Sequence, residues 1–108
     1  MSEFSEKVYK IIKKIPKGKV VTYSQVAKLI GAPKSTRAVG QALKKNPAPI
    51  VVPCHRVVAA NGSLGGYAKG IDEKKKLLKS EGVVIKNGKI NLEKYGAKLQ
   101  TSSFNNFR

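Results

Sequence analysis

The sequence predicts a mainly α-helical domain with one small β-hairpin, and three observations support this. Residues 3–15 place apolar side chains at steps of three and four, which is the period of an amphipathic α-helix. Two shorter helical segments follow, joined by a tight turn that contains Gly31, as in a helix-turn-helix. Asn87-Gly88 separates two short apolar runs, and this dipeptide favours a two-residue hairpin turn. We therefore expect a winged-helix-like helix-turn-helix fold.

The first two helices have recognisable ends. The segment Pro16-Lys17-Gly18 stops the first helix. Thr22 and Gln25 have the spacing of a capping box, which predicts the start of the second helix. Gly31 follows the last apolar position of that helix and ends it.

Two further helices are predicted from their termini. Ser35 caps a helix that runs from residue 36 to about residue 45 and closes at Asn46-Pro47, because the residue before a proline resists helical geometry. Asp72 caps a later helix that ends at Glu81-Gly82. No repeats occur, so we expect one domain over residues 1–96 and a flexible tail over residues 97–108.

The segment before the later helix carries the only cysteine and the only histidine of the chain side by side. The branched apolar run 50–52 predicts a short, buried, extended stretch. Neighbouring side chains of a strand point to opposite faces, so Cys54 and His55 need a turn, or a bridging water, to act on one another, and Pro53 favours a turn. A thiol is a weak nucleophile until a base such as imidazole deprotonates it. A lone cysteine is more often a small buried hydrophobe, and both interpretations stay open here.

The charge of the chain favours a polyanionic partner. Lys and Arg number 22 against 6 Asp and Glu, a net charge of +16, and residues 1–50 and 51–108 carry +9 and +7 of it. Nucleic acid is the natural partner of such a domain, and a heat-adapted lysine-rich surface is the alternative. Gly40 would lie on the outward face of the helix 36–45, where a glycine costs about 1 kcal/mol. Close approach to DNA, or packing against the preceding helix, would explain it.

Several classes of site and location are excluded. One cysteine allows no internal disulfide, and with one histidine it cannot form a four-ligand zinc site, so we expect no metal and no cofactor. The glycine-rich loop 59–67 lacks the lysine and the spacing of a phosphate-binding loop. No run has the length of a membrane span and no signal peptide is present. We expect a monomer that contacts no membrane, in the cytoplasm and either nucleoid-associated or nuclear according to the organism.

Taken together, these residues match a known family. Pro53-Cys54-His55-Arg56-Val57, preceded by Asn46-Pro47 and followed by a glycine-rich loop with Tyr67, resembles the active-site signature of the O6-alkylguanine-DNA alkyltransferases. The resemblance continues through Thr22-Tyr23, the Arg37-Ala38-Val39-Gly40 helix and Glu81-Gly82, and it covers about residues 4–90.

This resemblance implies single-turnover DNA repair. A damaged guanine would rotate out of double-stranded DNA, and its O6-alkyl group would move irreversibly to Cys54. His55 would take the thiol proton through a water, and Glu81 would orient His55. Arg37 would fill the space left by the flipped base, and Asn46 would tie the recognition helix to the cysteine turn by backbone hydrogen bonds.

The resemblance also implies a pocket for the guanine. Tyr67 would stack on the base, and Tyr23 would crowd the phosphate and hydrogen-bond the guanine ring. The backbone N–H of Ala68 would face O6 of the guanine, and the carbonyls of Cys54 and Val57 would face its exocyclic amine. The residues expected to line this pocket are Val57, Gly66, Tyr67 and Ala68. The residues expected to contact DNA, in the minor groove, are Thr22, Ser35, Arg37, Gly40, Gln41 and Lys44.

Two alternatives accompany this interpretation. Most family members have an additional N-terminal domain that this chain is expected to lack, which leaves its stability and regulation open. A related branch, the alkyltransferase-like proteins, consists of this domain alone, has another residue in place of the cysteine, and flags lesions without transfer. Cys54 argues against that branch. A helix-turn-helix regulator with a core cysteine would need neither the Pro-Cys-His turn nor the glycine-rich pocket.

Overall fold

Helices dominate the architecture, as the sequence predicts. The computed structural model describes residues 3–48, 50–67 and 69–99. Its elements in chain order are α1 (Glu3–Ile12), β1 (Val21–Thr22), α2 (Tyr23–Leu29), α3 (Thr36–Lys44), a 3-10 turn (Cys54–Arg56), β2 (Val57–Val58), α4 (Ile71–Ser80), β3 (Ile85–Lys86), β4 (Lys89–Ile90) and α5 (Leu92–Tyr95). The prediction of a mainly helical fold with a small hairpin is confirmed.

Helices α1, α2 and α3 pack on one another around a core of branched side chains. Ile11, Val26 and Val39, one from each helix, are fully buried. The hydroxyl of Tyr9 donates a hydrogen bond to the carbonyl of Ala42 at 2.7 Å, which ties α1 to α3. Helix α1 ends at residue 12 rather than 15, because the last hydrogen bonds before Pro16 span three residues and tighten the chain into a turn.

A short parallel pairing, absent from the prediction, joins the second helix to the cysteine turn. Val21 of β1 pairs with Val57 of β2, and Thr22 pairs with Val58. Strand β2 directly follows the 3-10 turn and β1 directly precedes α2. The pairing therefore fixes the start of α2 beside Cys54.

The hairpin β3–β4 forms where the sequence predicts it. Asn87 and Gly88 both have positive φ, 54° and 75°, as a type I′ turn requires. Ser63 bridges to Lys89, so the hairpin lies against the glycine-rich loop. A second core cluster lies beneath it and contains Val20, Val58, Leu64, Leu78, Val83, Ile90 and Tyr95.

The apolar run before the cysteine is not the buried, extended segment that its composition predicts. Ile50 and Val51 are 55% and 73% exposed, and only Val52 is buried. Ile50 has φ +78°, a conformation that a β-branched residue rarely adopts. The chain turns here, with the Val52 N–H donating to Ala48 O at 2.9 Å, so residues 50 and 51 lie in a turn rather than an extended strand.

Two helix N-caps and the start of the C-terminal tail differ from the prediction. Ser35 occupies the N-cap of α3, but its side chain makes no capping hydrogen bond. Gly70 is the N-cap of α4, and Asp72 lies in the first turn, where its charge complements the positive end of the helix. Ala97 is buried and its N–H donates to Val20 O at 2.7 Å. Residues 100–108 lie outside the described residues, and the flexible tail stays a prediction.

The two N-caps predict different responses to truncation. Thr22→Ala should lower the free energy of unfolding by about 1 kcal/mol, because Thr22 Oγ1 accepts the Gln25 N–H at 3.1 Å. Ser35→Ala should change it by less than about 0.5 kcal/mol, since no cap bond is lost. Urea unfolding of both variants measures the difference. An equal loss in the two variants would contradict this account.

Candidate active site

A tight turn places Cys54 and His55 in the interior of the protein. Pro53 has φ −79° and precedes the 3-10 turn, in which the Arg56 N–H donates to Pro53 O at 2.9 Å. Cys54 is 4% exposed and His55 is fully buried. The turn expected at Pro53 is present, and it places Cys54 on the wall of an open cavity.

Asn46 holds the loop before Cys54 in shape. Its amide oxygen accepts the Ala48 N–H at 3.0 Å, and its amide nitrogen donates to Val52 O at 2.9 Å. These bonds satisfy backbone groups of the loop that leads to Cys54. The same nitrogen lies 3.3 Å from Cys54 Sγ, a contact that the sequence analysis did not anticipate. An anionic sulfur would accept this hydrogen bond more strongly than a neutral one.

Glu81 binds both residues that follow Cys54. Its Oε2 lies 2.9 Å from His55 Nε2, so the structure brings together the pair that the resemblance implied. Arg56 makes a bidentate interaction with the same carboxylate, with Nε donating to Oε1 at 2.9 Å and Nη2 donating to Oε2 at 2.8 Å. Its Nη1 also donates to Ile15 O at 2.8 Å. The sequence analysis gave Arg56 no role, and its place directly after His55 was the one available signal.

The charges of this cluster determine the tautomer of His55. Burial alone would raise the pKa of Glu81, but hydrogen bonds from Arg56 and His55 outweigh burial and lower that pKa from 4.5 to about 2. Burial lowers the pKa of His55 below 6.5 despite the opposing effect of Glu81. At neutral pH an ionised Glu81 therefore accepts Nε2–H of a neutral imidazole, and Nδ1 remains a proton acceptor. Nδ1 is buried without a hydrogen-bond partner among the described residues.

The cavity beside Cys54 has a volume of about 310 Å³. Its lining residues are Tyr23, Thr36, Arg37, Gly40, Gln41, Leu43, Lys44, Cys54, Gly66 and Tyr67. Thr36 and Leu43 were not expected there. Thr22, Ser35 and Val57 were expected at the pocket or the DNA surface but do not line the cavity, since Thr22 caps α2, Ser35 precedes α3 and Val57 is fully buried. Ala68 lies outside the described residues.

Helix α3 turns one face to the core and the other to the cavity mouth. Val39 and Leu43 are buried, whereas Arg37 and Lys44 are exposed. A Cβ added at Gly40 would meet no atom within 4 Å, so this glycine is not required for packing against α2. Of the two explanations that the sequence left open, close approach to another surface is the one consistent with the structure.

The glycine-rich loop lies against Tyr23. Gly65 has φ +71°, and a Cβ there would lie 2.7 Å from the Tyr23 hydroxyl, so only glycine fits. That hydroxyl donates to Gly66 O at 3.4 Å. Burial is the main cause that raises the pKa of Tyr23, so the phenol keeps its proton at neutral pH. The Tyr67 hydroxyl is buried and has no partner among the described residues.

Lys74 of α4 is a site residue that the sequence analysis missed. Its side chain is fully buried, and its ammonium donates to Val57 O at 2.7 Å and to Gly66 O at 3.0 Å. The available signal was helical spacing, because Lys74 lies four residues before the buried Leu78, on the apolar face of α4.

Comparison with known proteins identifies the family. The family described as "6-O-methylguanine DNA methyltransferase, DNA binding domain" matches residues 3–83. The chain belongs to this family. The resemblance of the Pro-Cys-His-Arg-Val signature to the alkyltransferases is thereby confirmed.

Curated members of the methyltransferase family are similar over most of this chain. A methylated-DNA–protein-cysteine methyltransferase of Methanosarcina acetivorans is 54% identical over 81 residues, which cover 75% of this chain and 52% of that protein. One from Metallosphaera sedula is 52% identical over 85 residues, covering 79% and 53%. The chain thus spans about half the length of these curated relatives.

Solved structures of the family have the same fold. Schizosaccharomyces pombe Atl1, in complex with damaged DNA containing O6-carboxymethylguanine, superposes with a TM-score of 0.83 at 37% identity, covering 92% of this chain and 98% of Atl1. Mycobacterium tuberculosis OGT in complex with DNA gives 0.75 at 45% identity, covering 76% and 50%. The O6-methylguanine-DNA methyltransferase of Pyrococcus kodakaraensis gives 0.71 at 52% identity, covering 77% and 48%.

The described residues 3–48, 50–67 and 69–99 contain neither a metal-binding cluster nor a membrane-spanning helix. Within these ranges, no cluster of three or more His, Cys, Asp or Glu side chains could hold a metal ion. No helix there is long and apolar enough to cross a membrane.

The low pKa of Glu81 predicts a specific acid sensitivity. The folded-state pKa of about 2 lies below the ordinary 4.5. The contribution of ionised Glu81 to the free energy of unfolding is therefore complete above pH 4.5 and is lost as the pH falls towards 2. Glu81→Gln should flatten the dependence of unfolding free energy on pH in this range. Denaturant unfolding between pH 2 and pH 5 measures it, with the exposed Glu6→Gln as control. Equal slopes in the wild type and Glu81→Gln would contradict the assignment.

Proposed function

We propose that this chain repairs O6-alkylguanine in double-stranded DNA by transferring the alkyl group to Cys54 in a single turnover. The observation that carries the proposal is Cys54 on the wall of a cavity, 3.3 Å from the Asn46 amide nitrogen and directly before the His55–Glu81 pair. The curated relatives support it, because proteins 52% to 54% identical over most of this chain are named methylated-DNA–protein-cysteine methyltransferases.

The transfer can be written with the groups at this site. Nδ1 of His55 takes the thiol proton, directly or through a water, and Glu81 holds the imidazole in the tautomer that can accept it. The Cys54 sulfur then forms a bond to the alkyl carbon, while the bond from that carbon to O6 breaks and its electron pair stays on the purine. A proton returned to the purine restores guanine, and the Tyr23 hydroxyl would hydrogen-bond the guanine ring. The thioether product is stable, so each molecule acts once.

The exposed face of α3 is the proposed DNA interface. Arg37, Gln41 and Lys44 line the cavity mouth, and the chain carries a net charge of +16. Extruding a base costs a few kcal/mol, and the planar guanidinium of Arg37 could stack in the vacated space. Gly40 has open space in front of it and would allow α3 to approach a groove closely. Tyr67 would stack on the extruded guanine.

Lesion recognition without transfer is the second candidate function. One observation favours it: the chain covers 98% of Atl1, which was solved with DNA containing O6-carboxymethylguanine. Such a protein would use the same basic face and cavity. The reactive sulfur of Cys54 and its hydrogen-bonded base favour transfer over recognition alone.

Intact-mass measurement separates the two functions. Incubation with duplex DNA containing O6-methylguanine should add one methyl group per molecule, located on Cys54 by peptide mapping. Cys54→Ala should gain no mass yet still bind the lesion, because the basic face of α3 is unchanged. Tight binding of the wild type without a mass change would rule out transfer and leave recognition.

The proposed role of Arg37 predicts a difference between two substrates. Arg37→Ala should slow repair of O6-methylguanine in duplex DNA roughly tenfold or more, since flipping loses its support. Reaction with free O6-benzylguanine, which needs no flipping, should change less than about twofold. Single-turnover kinetics measure both rates, and Lys86→Ala on the exposed hairpin serves as a charge-matched control. Equal slowing of both substrates would contradict the role.

A further inference from the structure

Lys74 is a buried cation whose surroundings contain no carboxylate partner. Its fully buried ammonium donates to the carbonyls of Val57 and Gly66 and lies 5.9 Å from the centroid of the Tyr23 ring. No ion pair forms between it and an acidic side chain of the described residues. Burial lowers the pKa of Lys74 from 10.5 to about 8. Burying an ammonium group lowers the stability of the folded protein unless an anion lies nearby.

The contacts of Lys74 place its ammonium behind the cavity wall that carries Cys54. Gly66 and Tyr23 line the same cavity as Cys54, and Val57 is three residues after Cys54 in the chain. Burial is the main cause that lowers the pKa of Lys74, and the electrostatic interaction with Cys54 opposes it.

Three tyrosines also lie around Cys54, on three other elements. They are Tyr9 of α1, Tyr23 of α2 and Tyr67 of the glycine-rich loop, and burial is the main cause that raises the pKa of each, with the Cys54 charge adding to it. Arg37 and Lys44 of α3 line the same cavity but are exposed to solvent, whereas Lys74 is fully buried.

The remaining charged groups near the thiol are paired, neutral before proton transfer, or exposed to solvent. Glu81 and Arg56 neutralise one another through two hydrogen bonds. The lowered pKa of His55 keeps its imidazole neutral at pH 7. Once the thiol proton has passed to His55, the imidazolium lies against the Glu81–Arg56 pair, and Lys74 adds a second buried positive charge near the anionic sulfur.

We propose that Lys74 is a positioning residue of the active site, whose ammonium holds the carbonyls of Val57 and Gly66 and provides the countercharge for the Cys54 thiolate. The proposal rests on the proposed function in taking this thiolate as the nucleophile. His55 removes the proton, and Lys74 stabilises the anion that remains.

The thiol itself offers a direct test, because Cys54 is the only cysteine. The rate of its alkylation by iodoacetamide, followed by intact mass across pH 5 to 10, reports thiolate formation without DNA. Lys74→Met should move the midpoint of this profile upward by roughly one pH unit and slow alkylation at pH 7 about tenfold. Lys74→Gln, which keeps an amide donor but no charge, should give the same shift. Lys79→Met, exposed on the same helix, should leave the profile unchanged.

An unmoved midpoint in either folded variant, with folding checked by far-ultraviolet circular dichroism, would overturn the proposal. Slower alkylation at every pH with an unmoved midpoint would overturn it too, because that result indicates altered access instead of lost charge. Since iodoacetamide alkylation needs no lesion, a normal shift in a protein that fails to accept methyl from DNA would refute the proposed function and leave the role of Lys74 intact.

A measurement on the wild type avoids any folding defect. NMR titration of the lysine ammonium groups, before and after Cys54 is methylated with iodomethane, follows Lys74 directly. The pKa of Lys74 should fall on methylation, because the neutral thioether no longer stabilises the cation. An unchanged pKa of Lys74 would overturn the proposal.

Discussion

The carboxylate of Glu81 is the contact on which the active-site geometry depends. It accepts hydrogen bonds from two consecutive side chains of one 3-10 turn, His55 and Arg56. Because Arg56 keeps the carboxylate ionised, the imidazole receives a fixed orientation and a fixed tautomer while it remains neutral. A buried ion pair is rarely the most stabilising choice for a small domain. Here it determines which nitrogen of His55 faces away from Glu81.

The backbone around the thiol is held by side chains from neighbouring segments. Asn46, just beyond the end of α3, satisfies the carbonyl and amide groups of the loop before Cys54. Lys74 of α4 satisfies two carbonyls on the other side of the cysteine. Among the described residues, the strands that pair beside Cys54, β1 and β2, are only two residues long. The cavity wall therefore depends on polar side chains, and its shape is sensitive to substitutions that leave the hydrophobic core untouched.

Features set by neighbouring residues could be predicted from the sequence, and features set by distant contacts could not. The capping box at Thr22 and the turn at Asn87 depend on local backbone preferences, and both formed as predicted. Val51 was expected to be buried from its β propensity, but the hydrogen bonds of Asn46 fold that loop outward. The burial of Lys74 could not be predicted, because it depends on carbonyls brought together by the tertiary fold. The cysteine site was predicted through a family signature, which already contains such long-range information.

The hydrogen bond from Arg56 to the carbonyl of Ile15 has a consequence for how the protein matures. Arg56 connects the exit of the first helix to Glu81, so the base beside Cys54 takes its working form only when distant parts of the chain have assembled. A nascent or partly unfolded molecule would carry the same sulfur without this organised base. Under the proposed single-turnover transfer, this dependence would delay reaction at Cys54 until the site has assembled.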